Sequence, residues 1–300
     1  MTDMFATVLD CNGRPLTLDR PRVVGIINVT PDSFSDGGQF KRLDDAVAHG
    51  VRLAEEGADM LDVGGESTRP GAADVSAGEE LKRVIPVIEQ LVARTSLPIA
   101  VDTSKPDVMR AAVAAGAGMI NDVYALRREG ALDAAAQLRV PICLMHMKGE
   151  PRSMQDDPQY DDVVGEVHRF LTDRLFACEM AGIDRRKVMV DPGFGFGKTL
   201  EHNLALLRKL ERFADLGSGV YVGLSRKAMI GTLTGRQQAA DRAAGSAAAA
   251  LIAVQRGARM VRVHDVAITV DALNVWHAVK AGDVPERRDT PTMPRWPDDE

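Results

Sequence analysis

Three stretches of this chain read alike. Glu56-Gly57-Ala58-Asp59-Met60, Ala115-Gly116-Ala117-Gly118-Met119 and Arg256-Gly257-Ala258-Arg259-Met260 each follow a helical pattern and precede a short apolar run. Glycine suits the left-handed position that closes a helix, and the hydrophobes after it then open a strand. A helix handing over to a strand, repeated along one chain, is the joint of an alternating α/β architecture. Extending the pattern gives eight candidate strands: Val23–Asn28, Met60–Val63, Pro98–Asp102, Met119–Val123, Pro141–Met145, Val188–Asp191, Val220–Gly223 and Met260–Val263. They are short and apolar without alternation, as expected of a parallel sheet covered on both faces.

Helical segments lie between the strands. Leu43–Glu56 is one, and Ser76-Ala77-Gly78-Glu79 has the form of a capping box opening Glu79–Ala93. Pro106–Ala115 follows Ser104 as candidate cap, with proline in the tolerated first turn. Asp162–Ala181 places Val163, Val167, Phe170, Leu171, Cys178 and Ala181 on one face and closes at Gly182. Ala243–Arg256 and Ile268–Ala281 complete the series. Alternation of this kind over roughly 250 residues is the size and order of a (β/α)8 TIM barrel. The sequence predicts that barrel as a single domain over 23–284, after an N-terminal lead-in (1–22) and before a flexible tail (285–300) rich in Pro, Arg and Asp. An open doubly wound sheet is the rival; it gathers its ligand at one crevice, whereas here every strand ends in a polar cluster.

Composition excludes several functions. A net charge of −6 provides no global basic field for nucleic acid or anionic lipid. The longest apolar run, Ala247–Val254, is too short to span a bilayer, and Met1-Thr2-Asp3 begins no signal peptide. Cys11, Cys143 and Cys178 are odd in number, far apart and without a CxxC, which argues against a disulfide framework or zinc site. A soluble, cytoplasmic protein is expected.

Barrel enzymes carry their sites at the C-terminal ends of the strands. Those positions hold Asn28, Glu66-Ser67-Thr68-Arg69, Asp102, Asn121, His146, Asp191, Ser225-Arg226-Lys227 and Arg262-Val263-His264. Any one of these alone reads as a helix cap or a solvated rim residue. Eight strand ends contributing donors, acceptors and both charges read as a site. Arg69, Lys227, Arg262 and His264 would hold an anion, phosphate above all, through charge-assisted bonds. Asp102, Asn121 and Asp191 are what a flat heterocycle with N–H and C=O edges needs for buried pairing. Asparagine and carboxylates also suit Mg²⁺, which takes few protein ligands. No GxSxG occurs and no cysteine lies at the rim, so direct displacement between two bound substrates is the expected chemistry.

Two turn-rich loops, Thr30–Gly38 and Gly64–Gly71, follow the first two strands. Phe34 on the first is equally a packing anchor or a lid residue. Gly193-Phe194-Gly195-Phe196-Gly197-Lys198-Thr199 resembles a phosphate-binding loop but is one residue short, since position 192 is Pro192. It reads instead as a flexible loop with Phe196 free to close over a ligand. His49, His168, His202 and His277 fall on helices and read as structural, no HExxH supports zinc, and His146 has no firm role.

At these rim residues the chain strongly resembles the dihydropteroate synthases of bacterial folate biosynthesis. The matching blocks are Gly25–Gly38, Asp62–Gly71, Val101–Thr103, Ile120–Val123, Met145–Met147, Asp191–Lys198, Ser225–Lys227 and Arg262–His264, in order and each complete. The resemblance implies that Asp102, Asn121, Asp191 and Lys227 bind a pterin ring. It puts Asn28, Thr68, Arg69, Arg262 and His264 on a pyrophosphate, with Mg²⁺ at Asn28. Thr68, Arg69, Pro70, Phe196 and Ser225 would border p-aminobenzoate, and Asp102, Lys227, Arg262 and His264 would be catalytic. The implied reaction joins 6-hydroxymethyl-7,8-dihydropterin pyrophosphate to p-aminobenzoate, and the implied assembly is a homodimer. A methyltetrahydrofolate methyltransferase barrel would share the ring contacts but has no use for a pyrophosphate cradle. A silent pterin-binding paralogue would not need Asn28, Arg69, Lys227, Arg262 and His264 all intact.

Overall fold

A computed structural model of the chain describes residues 7–29, 39–67, 74–150 and 154–281. The first rim loop, the tail from Pro285, and Thr68, Arg69 and Pro70 lie outside the described residues.

Within the N-terminal lead-in, strands β1 (Val8–Cys11) and β2 (Arg14–Thr17) pair antiparallel about Asn12-Gly13. Both turn residues are left-handed, at φ 57° and 80°, the geometry that matches the twist of a tight hairpin. Eight parallel strands then close a barrel. They are β3 (Arg22–Asn28), β4 (Met60–Gly64), β5 (Ile99–Asp102), β6 (Met119–Asp122), β7 (Ile142–Met145), β8 (Val188–Asp191), β9 (Gly219–Val222) and β10 (Ala258–Val263), with β10 bonded to both β9 and β3. Every predicted strand is present within two residues of its expected limits, and closure excludes the open doubly wound sheet.

The surrounding helices are α1 (Gln39–Glu55), α2 (Ala77–Arg94), α3 (Pro106–Ala114), α4 (Ala131–Leu138), α5 (Val163–Met180), α6 (Leu200–Arg208), α7 (Ala228–Thr234), α8 (Ala243–Gln255) and α9 (Val266–Ala281). The repeated glycines do what the sequence asks: Gly57, Gly116 and Gly257 stand at φ 98°, 109° and 97°. The amides of Ala58 and Ala117 then reach back five residues to the Leu53 and Ala112 carbonyls, the bond that seals a helix C-terminus. Ser76 caps α2 by accepting from the Glu79 amide at 3.2 Å. The expected Ser104 cap on α3 does not form; Lys105 occupies that position without a side-chain cap, because Pro106 leaves one fewer amide to satisfy.

The barrel interior is layered. Val24, Met60, Ala100, Met119, Cys143, Met189, Tyr221 and Met260, one from each strand, form an apolar layer. Leu9, Cys11, Leu16 and Leu18 of the hairpin pack against it from below. The hairpin is tied to its neighbours through helix ends. Arg14 donates to the Val92, Thr95 and Leu97 carbonyls at 2.7–2.9 Å, and Asn12 to those of Val113 and Ala117 at 3.2 Å. With the N-terminal mouth plugged, only the C-terminal mouth can admit a ligand. No described helix is long and apolar enough to cross a membrane.

The plug has one point of very close backbone approach. A Cβ on Gly118 would stand 2.3 Å from the Cys11 carbonyl oxygen, so the Gly118→Ala variant must displace the hairpin. Its expected cost is about 1–3 kcal/mol, seen in calorimetry as a melting temperature lowered by several degrees. An unchanged melting temperature would show that the hairpin is not seated as described.

Candidate active site

Two residues beyond the apolar layer the same inward face turns polar, since side chains on one face of a strand recur every second position. Met60 is followed by Asp62, Ala100 by Asp102, Met119 by Asn121, Met189 by Asp191 and Met260 by Arg262. These five side chains converge because a closed barrel points them at one axis.

Arg262 is the centre of the group. Its Nε donates to Asp62 Oδ2, and its Nη2 donates to Asp102 Oδ2 at 2.9 Å. Asn121 Nδ2 donates to the same Asp62 oxygen at 3.0 Å, which fixes the orientation of its amide. Asp62 is fully buried and was not among the predicted site residues. A carboxylate inside an apolar strand persists only beside a countercharge, and that one-dimensional anomaly was the signal available. Burial pushes the Asp102 carboxyl up to about 7, against the pull of Arg262 and with the help of Asp62. Burial opposes the Arg262 charge, but Asp62 and Asp102 outweigh it and hold the guanidinium proton more tightly than usual.

Asp191 and Lys227 form the second charged element. Burial raises the Asp191 carboxyl, opposed by Lys227 and by the Gly193 amide, which donates to Oδ1 at 2.7 Å. Burial pushes Lys227 down to about 8 despite Asp191. The Lys227 ammonium donates to the Phe194 carbonyl and lies 4.5 Å from the centroid of the Phe196 ring.

The ends of β9 and β10 are locked together. Arg226, left-handed at φ 59°, makes a two-pronged pair with Asp265 at 2.9 and 2.5 Å. Ser225 Oγ accepts from the His264 amide at 3.1 Å and lies 3.0 Å from His264 Nδ1. These bonds place the predicted Ser225 and His264 side by side. Asn28, at the end of β3, is in register with Gly64 on β4.

The base of the second rim loop is clamped by the rim residue Glu66 together with Lys105, Glu80 and Arg83, which motif reading passed over. Glu66 accepts from the Val75 amide at 3.0 Å and from Lys105 Nζ at 2.6 Å, so one carboxylate spans the loop. Lys105 also pairs with buried Glu80 at 2.5 Å, and Arg83 donates to the Gly65 carbonyl at 2.9 Å. Lys105 carries no sequence signal beyond its place before Pro106.

The glycine-rich loop after β8 is not free to move as the sequence suggests. Lys198, only 3% exposed, turns inward and donates to the Gly193 and Phe196 carbonyls at 2.9 and 3.0 Å, which rules out a phosphate-binding lysine. His146 is buried with its Nδ1 2.9 Å from Lys198 Nζ. Burial, with the charges of Lys198 and Arg127, drives its pKa down to about 2, so it stays neutral.

The profile of the family described as pterin binding enzyme matches residues 24–264. The chain is 51% identical over 270 residues to the dihydropteroate synthase of Escherichia coli K12, covering 90% of this chain and 95% of that protein. The dihydropteroate synthase of Xanthomonas albilineans, solved with 4-aminobenzoic acid, aligns at TM-score 0.88 and 66% identity over 92% of this chain and 99% of that one. Its complex with 7,8-dihydropteroate aligns at TM-score 0.84 and 64% identity over 91% and 99%. With a closed barrel, a mouth of these residues and matches along nearly its whole described length, the chain belongs to the dihydropteroate synthase family of pterin-binding enzymes.

Proposed function

We propose that this barrel joins the methylene of 6-hydroxymethyl-7,8-dihydropterin pyrophosphate to the amine of p-aminobenzoate, giving 7,8-dihydropteroate and pyrophosphate. The observation that carries the reading is the set of buried Asn121 and Asp191 with half-buried Asp102 and Lys227 around the Arg262 guanidinium in one mouth. A pterin offers N–H and C=O edges to such a set, and its pyrophosphate offers negative charge to Arg262 and His264.

In the reaction the methylene C–O bond breaks and its electron pair leaves with pyrophosphate. The arylamine nitrogen forms the new C–N bond and loses a proton. The electron-rich ring supports positive charge at the methylene, so an SN1-like path suits the site. Asp102, when ionised, faces that developing charge, while Arg262 faces the charge growing on the leaving group. Lys227 and Asp191 orient the ring, and Asn121 is held to one amide orientation by Asp62. Ser225 sets His264 toward the pyrophosphate. Phe196 and Ser225 border p-aminobenzoate, and Asn28 serves the pyrophosphate. Thr68, Arg69 and Pro70, outside the described residues, are assigned to p-aminobenzoate, and Thr68 and Arg69 also to the pyrophosphate, on the family resemblance alone.

Mg²⁺ fits as a cofactor on donor chemistry. Among the described residues no group of three His, Cys, Asp or Glu is arranged to hold a metal. A hard cation that keeps its waters and binds chiefly through substrate phosphate oxygens needs only a donor such as the Asn28 amide oxygen. When bound it would neutralise charge on the leaving pyrophosphate.

The chain forms a homodimer through α8 and α9. Ala249, Ala250 and Ala253 of α8 pack on the barrel, while Ala244, Ala248 and Ile252, spaced by four, face outward with Ile268, Val275 and Val279 of α9. Val275 and Val279 are 67% and 80% exposed, and an apolar patch of this kind shared by two neighbouring helices is made to be covered. Three free, buried cysteines suit a reducing, cytoplasmic setting.

Pyrophosphate release from the dihydropterin pyrophosphate, with and without p-aminobenzoate, tests the reaction. Release that depends on p-aminobenzoate and yields 7,8-dihydropteroate is expected, and Lys227→Ala should weaken pterin binding by about 10–100-fold. Pterin binding without turnover, or methyl transfer from methyltetrahydrofolate, would overturn the synthase reading. Sedimentation should return twice the 32.4 kDa chain mass. A monomer at micromolar concentration would remove the dimer.

A further inference from the structure

Two buried side chains take no part in the reaction as derived: Lys198, turned inward under the glycine-rich loop, and His146. They touch each other. Gly193, Gly195 and Gly197 all stand left-handed, at φ 70°, 79° and 63°, which lays the loop flat on the end of β7. A Cβ at Gly193 would lie 1.8 Å from the His146 carbonyl oxygen, and one at Gly197 would lie 2.2 Å from that of Lys148. In this shape every carbonyl from Gly193 to Gly197 meets a side-chain donor. The Gly193 and Phe196 carbonyls turn to Lys198, the Phe194 carbonyl turns to Lys227, and those of Gly195 and Gly197 accept from Gln155 and Tyr160.

Lys198 thus has three close acceptors, two carbonyls and His146 Nδ1, all within 3.0 Å, matching the three protons of an ammonium. Burial pushes the Lys198 pKa well below the ordinary range; of the charged groups facing it, Asp191 favours its charge, and Lys227 and Lys148 oppose it. The His146 ring is itself wedged edge-on against Phe170 at 4.8 Å. Removing the ammonium would leave two converging carbonyls without a donor, and the loop would open to separate them.

We propose that Lys198, anchored by His146, is a positioning residue for the reaction: by gathering the Gly193 and Phe196 carbonyls it fixes the Phe194 carbonyl and the Phe196 ring against Lys227. The role rests on the synthase reading, because Lys227 and Phe196 matter through the pterin and the arylamine. Both lysines donate to carbonyls of this one loop, Lys198 to Gly193 and Phe196 and Lys227 to Phe194. A shift of about 1 Å in such a loop moves the Phe196 ring off the second substrate's border, which weakens binding of that substrate more than it slows the chemistry.

The test compares Lys198→Met, His146→Leu and His146→Asn in the full chain. Lys198→Met removes the donor at similar length, His146→Leu removes its anchor, and His146→Asn keeps an acceptor near the Nδ1 position. For Lys198→Met and His146→Leu, KM for p-aminobenzoate should rise about tenfold or more, with a smaller change in kcat. His146→Asn should stay within about threefold of the native chain, and the double variant should be no worse than Lys198→Met alone. Hydrogen exchange of amides 193–199 in the unliganded protein reads the loop without turnover. It should quicken in Lys198→Met and not in His146→Asn. Folded Lys198→Met with native KM and native exchange would overturn the proposal, as would equal losses in His146→Leu and His146→Asn. If the native chain lacks synthase activity while the exchange pattern holds, the synthase reading fails and the loop pin stands.

Discussion

One guanidinium, Arg262, is shared between two carboxylates inside the barrel, and the mouth is organised around it. Arg262 and Asp102 lie 160 residues apart in sequence, on strands β10 and β5. Between them in the sheet stand β3 and β4, so the pair spans the lumen and exists only in a closed barrel. Burial of charge is tolerated where partners compensate it, and here one positive group faces two negative ones. Burial raises the Asp102 carboxyl to about 7, with Arg262 opposing the rise and Asp62 adding to it. A carboxyl so poised can pair with a heterocycle as donor or acceptor and can answer positive charge that appears during reaction.

The same strands divide the work of stability from that of chemistry. Their lower inward residues make the apolar layer that the N-terminal hairpin plugs. Their next inward residues make the polar layer at the C-terminal mouth. Rigid strand ends hold Asp102, Asn121, Asp191 and Arg262, while Lys227 and Phe196 come from the loops beyond β9 and β8. On the proposed reading, the barrel would carry ring recognition and the loops would border the second substrate.

Much of this was legible in one dimension. Helix-closing glycines followed by apolar runs mark strand starts, and polar residues at strand ends mark the rim, so the barrel and most of the site could be read. What stayed hidden depends on partners distant in sequence. Asp62 sits inside an apolar strand, and its role is invisible without Arg262 and Asn121. The plugging hairpin lacks length and periodicity, and α4, α6 and α7 span only 8, 9 and 7 residues. The glycine-rich loop reads as flexible because a sequence does not show that Lys198 turns inward to hold its carbonyls. Ser104 fails as a cap for a local reason: the proline that follows reduces the need for one.

The most direct test of the Arg262 network is the pH dependence of kcat/KM for the dihydropterin substrate in the native chain and in Asp62→Asn. If Asp102 acts ionised, native activity should rise as pH climbs through about 7. Asparagine at position 62 removes a like charge from Asp102 and frees Arg262 to pair with it. Both effects favour the ionised carboxyl, so this limb should move to lower pH by about one unit or more. A limb that stays in place or moves upward in Asp62→Asn would contradict the shared guanidinium as the element that sets the site's charge.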